Sequence, residues 1–294
     1  MKKVVLNISV MLFGMAMYAQ ANLSLVNQTG LGNMSDVDQF GLLNVSDVDQ
    51  DGRFNEAEVD QVGAFNGSEI DQLGRRNDAK VVQLGIGNDS DINQIGRRNE
   101  ADVNQFGIAN YSNVNKDSRR NEADVTQVGL RNDSDIDQYS RRNSSTVNQL
   151  GITNEANVLQ VGLDNTASVL QIGEDNTADQ TQFGNDNSAT AIQFGEDNYS
   201  SQVQVGDGNM GLALQVGEGN ASYQLQLGED NMAIHDQDGQ SNLAITTQDG
   251  EGNFSYIQQD GSLNAAWTNQ TGQSHMSFVN QTGVSNLSLV NQSN

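Results

Sequence analysis

The chain has no cysteine and no proline, and only two histidines, His235 and His275, among its 294 residues. Without cysteine there is no disulfide framework, no thiolate metal site and no cysteine nucleophile. Two histidines nearly exclude a histidine-based metal cluster. Aromatic residues make up 5% and hydrophobic residues 35% of the sequence, too little bulky apolar material for the two ordinary cores that such a length would suggest. Basic residues are scarce, 14 against 38 acidic, for a formal net charge of -24. That balance argues against binding nucleic-acid phosphates, which takes a basic surface. Low hydrophobicity with high net charge would ordinarily mean disorder. The periodicity of this chain excludes that reading.

Met1-Lys2-Lys3 gives a short positive start, Val4 to Tyr18 is mostly apolar, and Ala19-Gln20-Ala21 fits the small-x-small pattern of signal-peptidase cleavage. Residues 1–21 are therefore expected to be a signal peptide and 22–294 a single exported repeat domain. The apolar run is too short for a stable span, and no other membrane-spanning candidate exists.

An eleven-residue repeat fills the rest. Gln recurs from Gln28, Gln39, Gln50, Gln61, Gln72, Gln83, Gln94 and Gln105 through Gln127, Gln149, Gln160, Gln171, Gln193 and Gln215 to Gln292, with Lys116 the sole departure in 25 positions. Two residues later comes Gly (Gly30, Gly41, Gly52, Gly63 and onward), replaced only by Ser118, Ser140 and Asn294. Asn keeps the same frame at Asn22, Asn33, Asn44, Asn55, Asn77, Asn99, Asn121 and on to Asn286, with His275 the one exception. The unit is N-x-[A/S]-x-[V/I]-x-Q-Φ-G-x-x.

Eleven residues is also the period of a right-handed coiled coil. A glycine in every unit, costing about 1 kcal/mol each in a helix, excludes it. Asn, Ala or Ser, Val or Ile, and Gln occupy alternate positions, which is a strand with one buried face. A seven-residue strand and a four-residue turn are expected, with Gly supplying positive φ and Asn either tolerating αL or forming an Asx-turn. Two such units close one coil of about 22 residues. The variable positions support this: Arg53-Phe54, Arg75-Arg76, Arg97-Arg98, Arg119-Arg120 and Arg141-Arg142 recur every 22 residues, alternating with apolar pairs such as Leu42-Leu43 and Ile108-Ala109. The fold class is all-β, a single amyloid-like β-solenoid of two stacked parallel sheets with one basic and one apolar edge. Identical side chains then stack about 4.8 Å apart, and each buried Gln amide can bond the amides above and below it. Missing proline leaves every backbone amide free for that ladder.

Q-x-G-x-x-N-x-A/S-x-x-x-Q, most literal in Asn187-Ser188-Ala189-Thr190-Ala191-Ile192-Gln193 and Asn209-Met210-Gly211-Leu212-Ala213-Leu214-Gln215, resembles the curlin repeat of bacterial curli subunits. The resemblance implies a functional amyloid of the biofilm matrix, located outside the cell or at its surface. It also implies secretion through an outer-membrane pore and a nucleator subunit as partners beside the chain itself.

The ends carry one code: Asn22-Leu23-Ser24-Leu25-Val26-Asn27-Gln28 returns as Asn286-Leu287-Ser288-Leu289-Val290-Asn291-Gln292, which predicts head-to-tail polymerisation. The alternative is a soluble acidic solenoid that stays monomeric as an adhesin or ligand-binding rod. Outward acid pairs such as Asp36/Asp38 and Glu58/Asp60 are read as a solvated face limiting lateral association, although stacked carboxylates are also Ca²⁺-ligand chemistry. No cofactor is expected. The basic edge, Arg75, Arg76, Arg97, Arg98, Arg119, Arg120, Arg141 and Arg142, reads as an anion site or a lateral contact, its repulsion offset by Asp78, Glu100 and Glu122. Every Lys and Arg lies at or before Arg142. An apolar row from Leu212 to Leu289 is either a docking face or an inward-turned register. No catalytic constellation recurs, so no enzyme is expected.

Overall fold

The computed structural model describes residues 21–294. The signal peptide expected at 1–21 lies, but for Ala21, outside the described residues. From β1 (Leu23–Leu31) and β2 (Met34–Leu42) the chain runs through 25 strands to β25 (Leu287–Ser293). Odd-numbered strands form one 13-stranded sheet and even-numbered strands one 12-stranded sheet. All pairs are parallel and each residue lies beside the residue 22 positions later, as Gln28 beside Gln50. This is the expected solenoid, with about 22 residues per coil.

The strands are longer than the repeat alone predicts, nine residues in place of seven, with only two residues between them. Glycine is the reason. At φ between +109° and +141° the repeat glycines keep pairing coil to coil. A Cβ on Gly107 would stand 1.9 Å from the Gly129 carbonyl oxygen, so close stacking demands glycine there. The left-handed position is taken by the residue before Asn, such as Leu43 at φ 55° and Arg76 at φ 57°, and not by Asn. The expected αL or Asx role of Asn is thereby corrected. Asn side chains turn inward instead, where Asn44 Oδ1 accepts from the Asn66 backbone N–H at 3.1 Å and Asn66 Nδ2 donates to the Gly85 carbonyl at 3.2 Å. They form a second buried ladder that seals the turn.

Between the sheets the strand alternation buries Ala or Ser and Val or Ile. One apolar cluster runs from Val48 to Ala191 and another joins Ala244, Ile257, Ala266 and Val279. The interval between them is polar: Gln180 Nε2 donates to Gln202 and Gln202 to Gln224, both within the interior. At this width, small side chains and hydrogen-bonded amides fill the space that large apolar groups occupy in thicker domains.

Candidate functional site

The glutamine ladder is the most regular feature of the interior. Each Nε2 donates to the Oε1 one coil on, at 2.8 Å from Gln50 to Gln72 and 2.9 Å from Gln83 to Gln105. The second N–H crosses to the other sheet, as Gln50 Nε2 to the Met34 carbonyl at 2.9 Å. One amide thus fixes register along the axis and ties the sheets together. The repeat announces the first bond but not the second, since only the folded coil brings a carbonyl of the preceding strand within reach.

In the even-numbered sheet the ladder is unbroken from Gln39 to Gln281; in the odd-numbered sheet it stops at Lys116 in β9 (Tyr111–Arg119). Lys116 is fully buried and its Nζ has no hydrogen-bond partner. Burial lowers its pKa to about 7 against the weaker opposing pull of Asp124, Glu122 and Glu100. The Gln138 Oε1 above it is orphaned too. Ser118 in the same strand and Ser140 in β11 (Asp133–Arg141) stand at glycine positions with φ of 102° and 84°. Each is a conformation that costs a side-chain-bearing residue about 1–3 kcal/mol.

The arginines form two columns along one edge. Arg75, Arg97, Arg119 and Arg141 are paired in register, and the backbone N–H groups of Arg98, Arg120 and Arg142 bond the carbonyls of Arg75, Arg97 and Arg119. Arg97, Arg119, Arg120, Arg141 and Arg142 line a cleft of about 110 Å³. Desolvation, then the guanidiniums of Arg119 and Arg98, hold Arg97 below the ordinary arginine range. The expected offset by Asp78, Glu100 and Glu122 does not occur. Those residues begin strands of the even-numbered sheet and stack on one another. Burial, followed by neighbouring carboxylates, raises Asp78 and Glu100. Among the described residues the one arginine ion pair is Arg142 Nη2 to Asp164 Oδ2, at 2.5 Å.

Three segments of the chain, 74–107, 119–151 and 153–184, match the curlin associated repeat. These segments are similar to the curlin associated repeat. A comparison with curated proteins gave no match. The residues between the first two matches, 108–118, hold both Lys116 and Ser118, so the curlin-repeat pattern lapses where the ladder breaks.

Elsewhere the outward acids of this chain form columns that raise one another. Desolvation, then Asp49 and Asp91, raises Asp71, and Asp91 outweighs desolvation in raising Glu69. Lys80 relieves one column by donating to Glu58 at 2.7 Å. Among the described residues no three acidic or histidine side chains converge on a common metal position. The apolar row, Leu212, Tyr223, Ile234, Ile245, Tyr256, Trp267, Phe278 and Leu289, points outward, alternating between the two faces. The inward alternative is excluded. Tyr256 and Phe278 lie with ring centroids 6.4 Å apart.

His235, expected only to stand in for a repeat residue, does more. Its Nδ1 lies 2.8 Å from Ser222 Oγ and its Nε2 2.8 Å from Thr246 Oγ1, so the ring links the two sheets. It is fully buried, and burial lowers its pKa to about 3. A neutral imidazole sealed from solvent bridges hydroxyls but is not placed to meet a substrate. No signal in the repeat pairs Ser222 with His235, because their contact depends on how opposing sheets interleave. At the ends of the rod β1 pairs only with β3 (Val45–Arg53), and β25 only with β23 (Ala265–Gln273), leaving one row of backbone groups outward on each. No helix among the described residues is long and apolar enough to cross a membrane.

Proposed function

We propose that this chain is a secreted structural subunit that assembles end to end into curli-like amyloid fibres of the extracellular matrix, where the fibres support adhesion. The observation that carries the reading is the pair of open edges with one side-chain code. An unpaired parallel edge is a template for another strand. The outward edge of β1, Leu23-Ser24-Leu25-Val26-Asn27-Gln28-Thr29-Gly30, matches that of β24 (Met276–Val284), Met276-Ser277-Phe278-Val279-Asn280-Gln281-Thr282-Gly283, nearly residue for residue. Seating β1 of the next copy on β24, and its β2 on β25, continues both sheets after a half turn about the axis. The Gln281 amide would then meet Gln28 in the spacing it already has with Gln259. A contact of this kind does not close on itself, so it yields filaments.

Export directed by residues 1–21 belongs to the same reading and rests on their own charged, apolar and small-residue pattern, while an outer-membrane pore and a nucleating subunit follow from the family resemblance. A load-bearing polymer of repeated coils needs no active site, and the chain is read as a structural protein and not an enzyme. Dilution of denatured chain 22–294 into neutral buffer, followed by amyloid-dye fluorescence and fibre diffraction, tests the proposal. Growth with reflections near 4.7–4.8 Å and about 10 Å is expected. A chain that stays monomeric at high concentration would refute it and favour the acidic monomeric rod.

A further inference from the structure

Along the same columns the basic edge gives way to an acidic one. Beyond Arg141 the same column runs Leu163, Asn185, Asp207, Glu229 and Glu251, each paired in register with the next. The adjoining column passes from Arg142 to Asp164, Asp186, Gly208 and Asp230 in the same turns. Rows of guanidinium and carboxylate thus share one edge, one spacing and one straight register, and change sign between Arg142 and Asp164. The two groups that meet at that seam form an ion pair. The remaining edge arginines have no carboxylate partner among the described residues.

We propose that two copies of this chain associate side by side and antiparallel through this edge, the arginine half of each lying against the acidic half of the other. A two-fold axis at the seam sets Arg53 opposite Glu251, Arg75 and Arg76 opposite Glu229 and Asp230, and Arg97 opposite Asp207 of the second copy. Every coil of one half meets a coil of the other at the same repeat distance; Arg120 and Arg142 then face Asp186 and Asp164, while Arg98, Arg119 and Arg141 face the uncharged Gly208, Asn185 and Leu163. Parallel pairing in register would stack arginine on arginine and is disfavoured by like charge. Each copy carries a large net negative charge, but a Debye length of about 8 Å at physiological salt screens distant acids far more than groups in contact. The isologous contact closes after two copies and leaves the rod ends free.

The chain has no native cysteine, which makes single-cysteine cross-linking unambiguous. Full-length mature chain carrying Arg97→Cys is mixed with chain carrying Asp207→Cys under mild oxidation at low salt. The mixed 97–207 disulfide should exceed either homodimer about tenfold and fall away in about 1 M salt. Both sites lie mid-rod, so fibre growth through β1 and β25 does not bring them together, and loss of fibre growth leaves this readout intact. Arg97→Glu with Arg120→Glu should abolish a pairing detected by sedimentation, and a partner carrying Asp207→Arg with Asp186→Arg, the residues opposite them, should restore it. Equal yields of all three disulfides, a yield indifferent to salt, or no restoration by the charge swap would overturn the proposal. So would a chain that binds inorganic polyphosphate through these arginines yet forms no 97–207 disulfide, since the basic edge would then be built for a foreign polyanion.

Discussion

Replacing Lys116 by Gln should stabilise the rod, and by an amount that depends on pH in a defined way. Burial lowers the Lys116 pKa from 10.5 to about 7. At about 1.36 kcal/mol per pH unit, keeping the ammonium charged inside the folded state costs up to about 5 kcal/mol. That penalty is full below pH 7, where lysine is charged in both states. Above pH 7 the folded state sheds its proton while the unfolded state keeps one, so the penalty shrinks, reaching zero near the ordinary lysine value. Lys116→Gln removes the penalty and restores two ladder bonds, Gln94 Nε2 to the new Oε1 and the new Nε2 to Gln138 Oε1, at about 1 kcal/mol each. Partial relaxation around the ammonium reduces the first figure, so a gain of about 3–5 kcal/mol at pH 6 is reasonable. Urea unfolding followed by circular dichroism at pH 6 and pH 10 gives both numbers. A variant no more stable than the parent at pH 6, or a gap that does not narrow by pH 10, would refute the reasoning.

Gly107→Ala places a Cβ 1.9 Å from a backbone oxygen and should cost more than about 3 kcal/mol. Gly87→Ala, also at positive φ but with open space around it, should cost only about 1 kcal/mol; equal losses in urea midpoint would contradict the close-stacking account. His235 has a folded pKa lowered to about 3, so the parent should lose stability as pH falls from 6.5 toward 3. His235→Gln should flatten that acid limb, and an unchanged slope would exclude His235 as its source. The carboxylates of Asp71, Asp78, Asp91 and Asp135 are raised, mainly by desolvation, so their contribution is greatest at acid pH and is lost as pH rises through the raised values. In the His235→Gln background the urea midpoint should therefore rise as pH is lowered from 7 toward the ordinary aspartate value; a fall would show that these carboxylates are not raised by folding.

What was legible in the sequence was whatever repeats by translation. The 22-residue coil followed from the Arg pairs, the inward face from the alternation, and the axial Gln ladder from the identity of stacked positions. Each depends only on a residue meeting its own copy one coil away. What was missed depends on contacts between different positions. The left-handed turn residue is Leu, Phe, Arg, Ala, Thr, Asp, Ser or Gly in different coils, so composition gave no sign that it, and not Asn, takes positive φ. The Asn bonds and the second Gln bond reach carbonyls on other strands. Asp78 and Glu100 follow the arginine turns in sequence, yet their side chains join a column on the even-numbered sheet. His235 links Ser222 and Thr246 only because the sheets interleave at that height.

Every strand in this molecule pairs with its sheet neighbours at one sequence separation, 22 residues. Relative to a chain of this length that is a low contact order, in the range of helical bundles and unlike most all-β folds. The loop that must close is equally short at every step, so once a first coil exists each further coil docks against a finished template at nearly constant entropic cost. Folding of such a chain is elongation, well suited to a polypeptide that arrives one end first. On the proposed fibre, adding a subunit and adding a coil become the same reaction, differing only in whether the next strand is delivered by the same backbone or by diffusion.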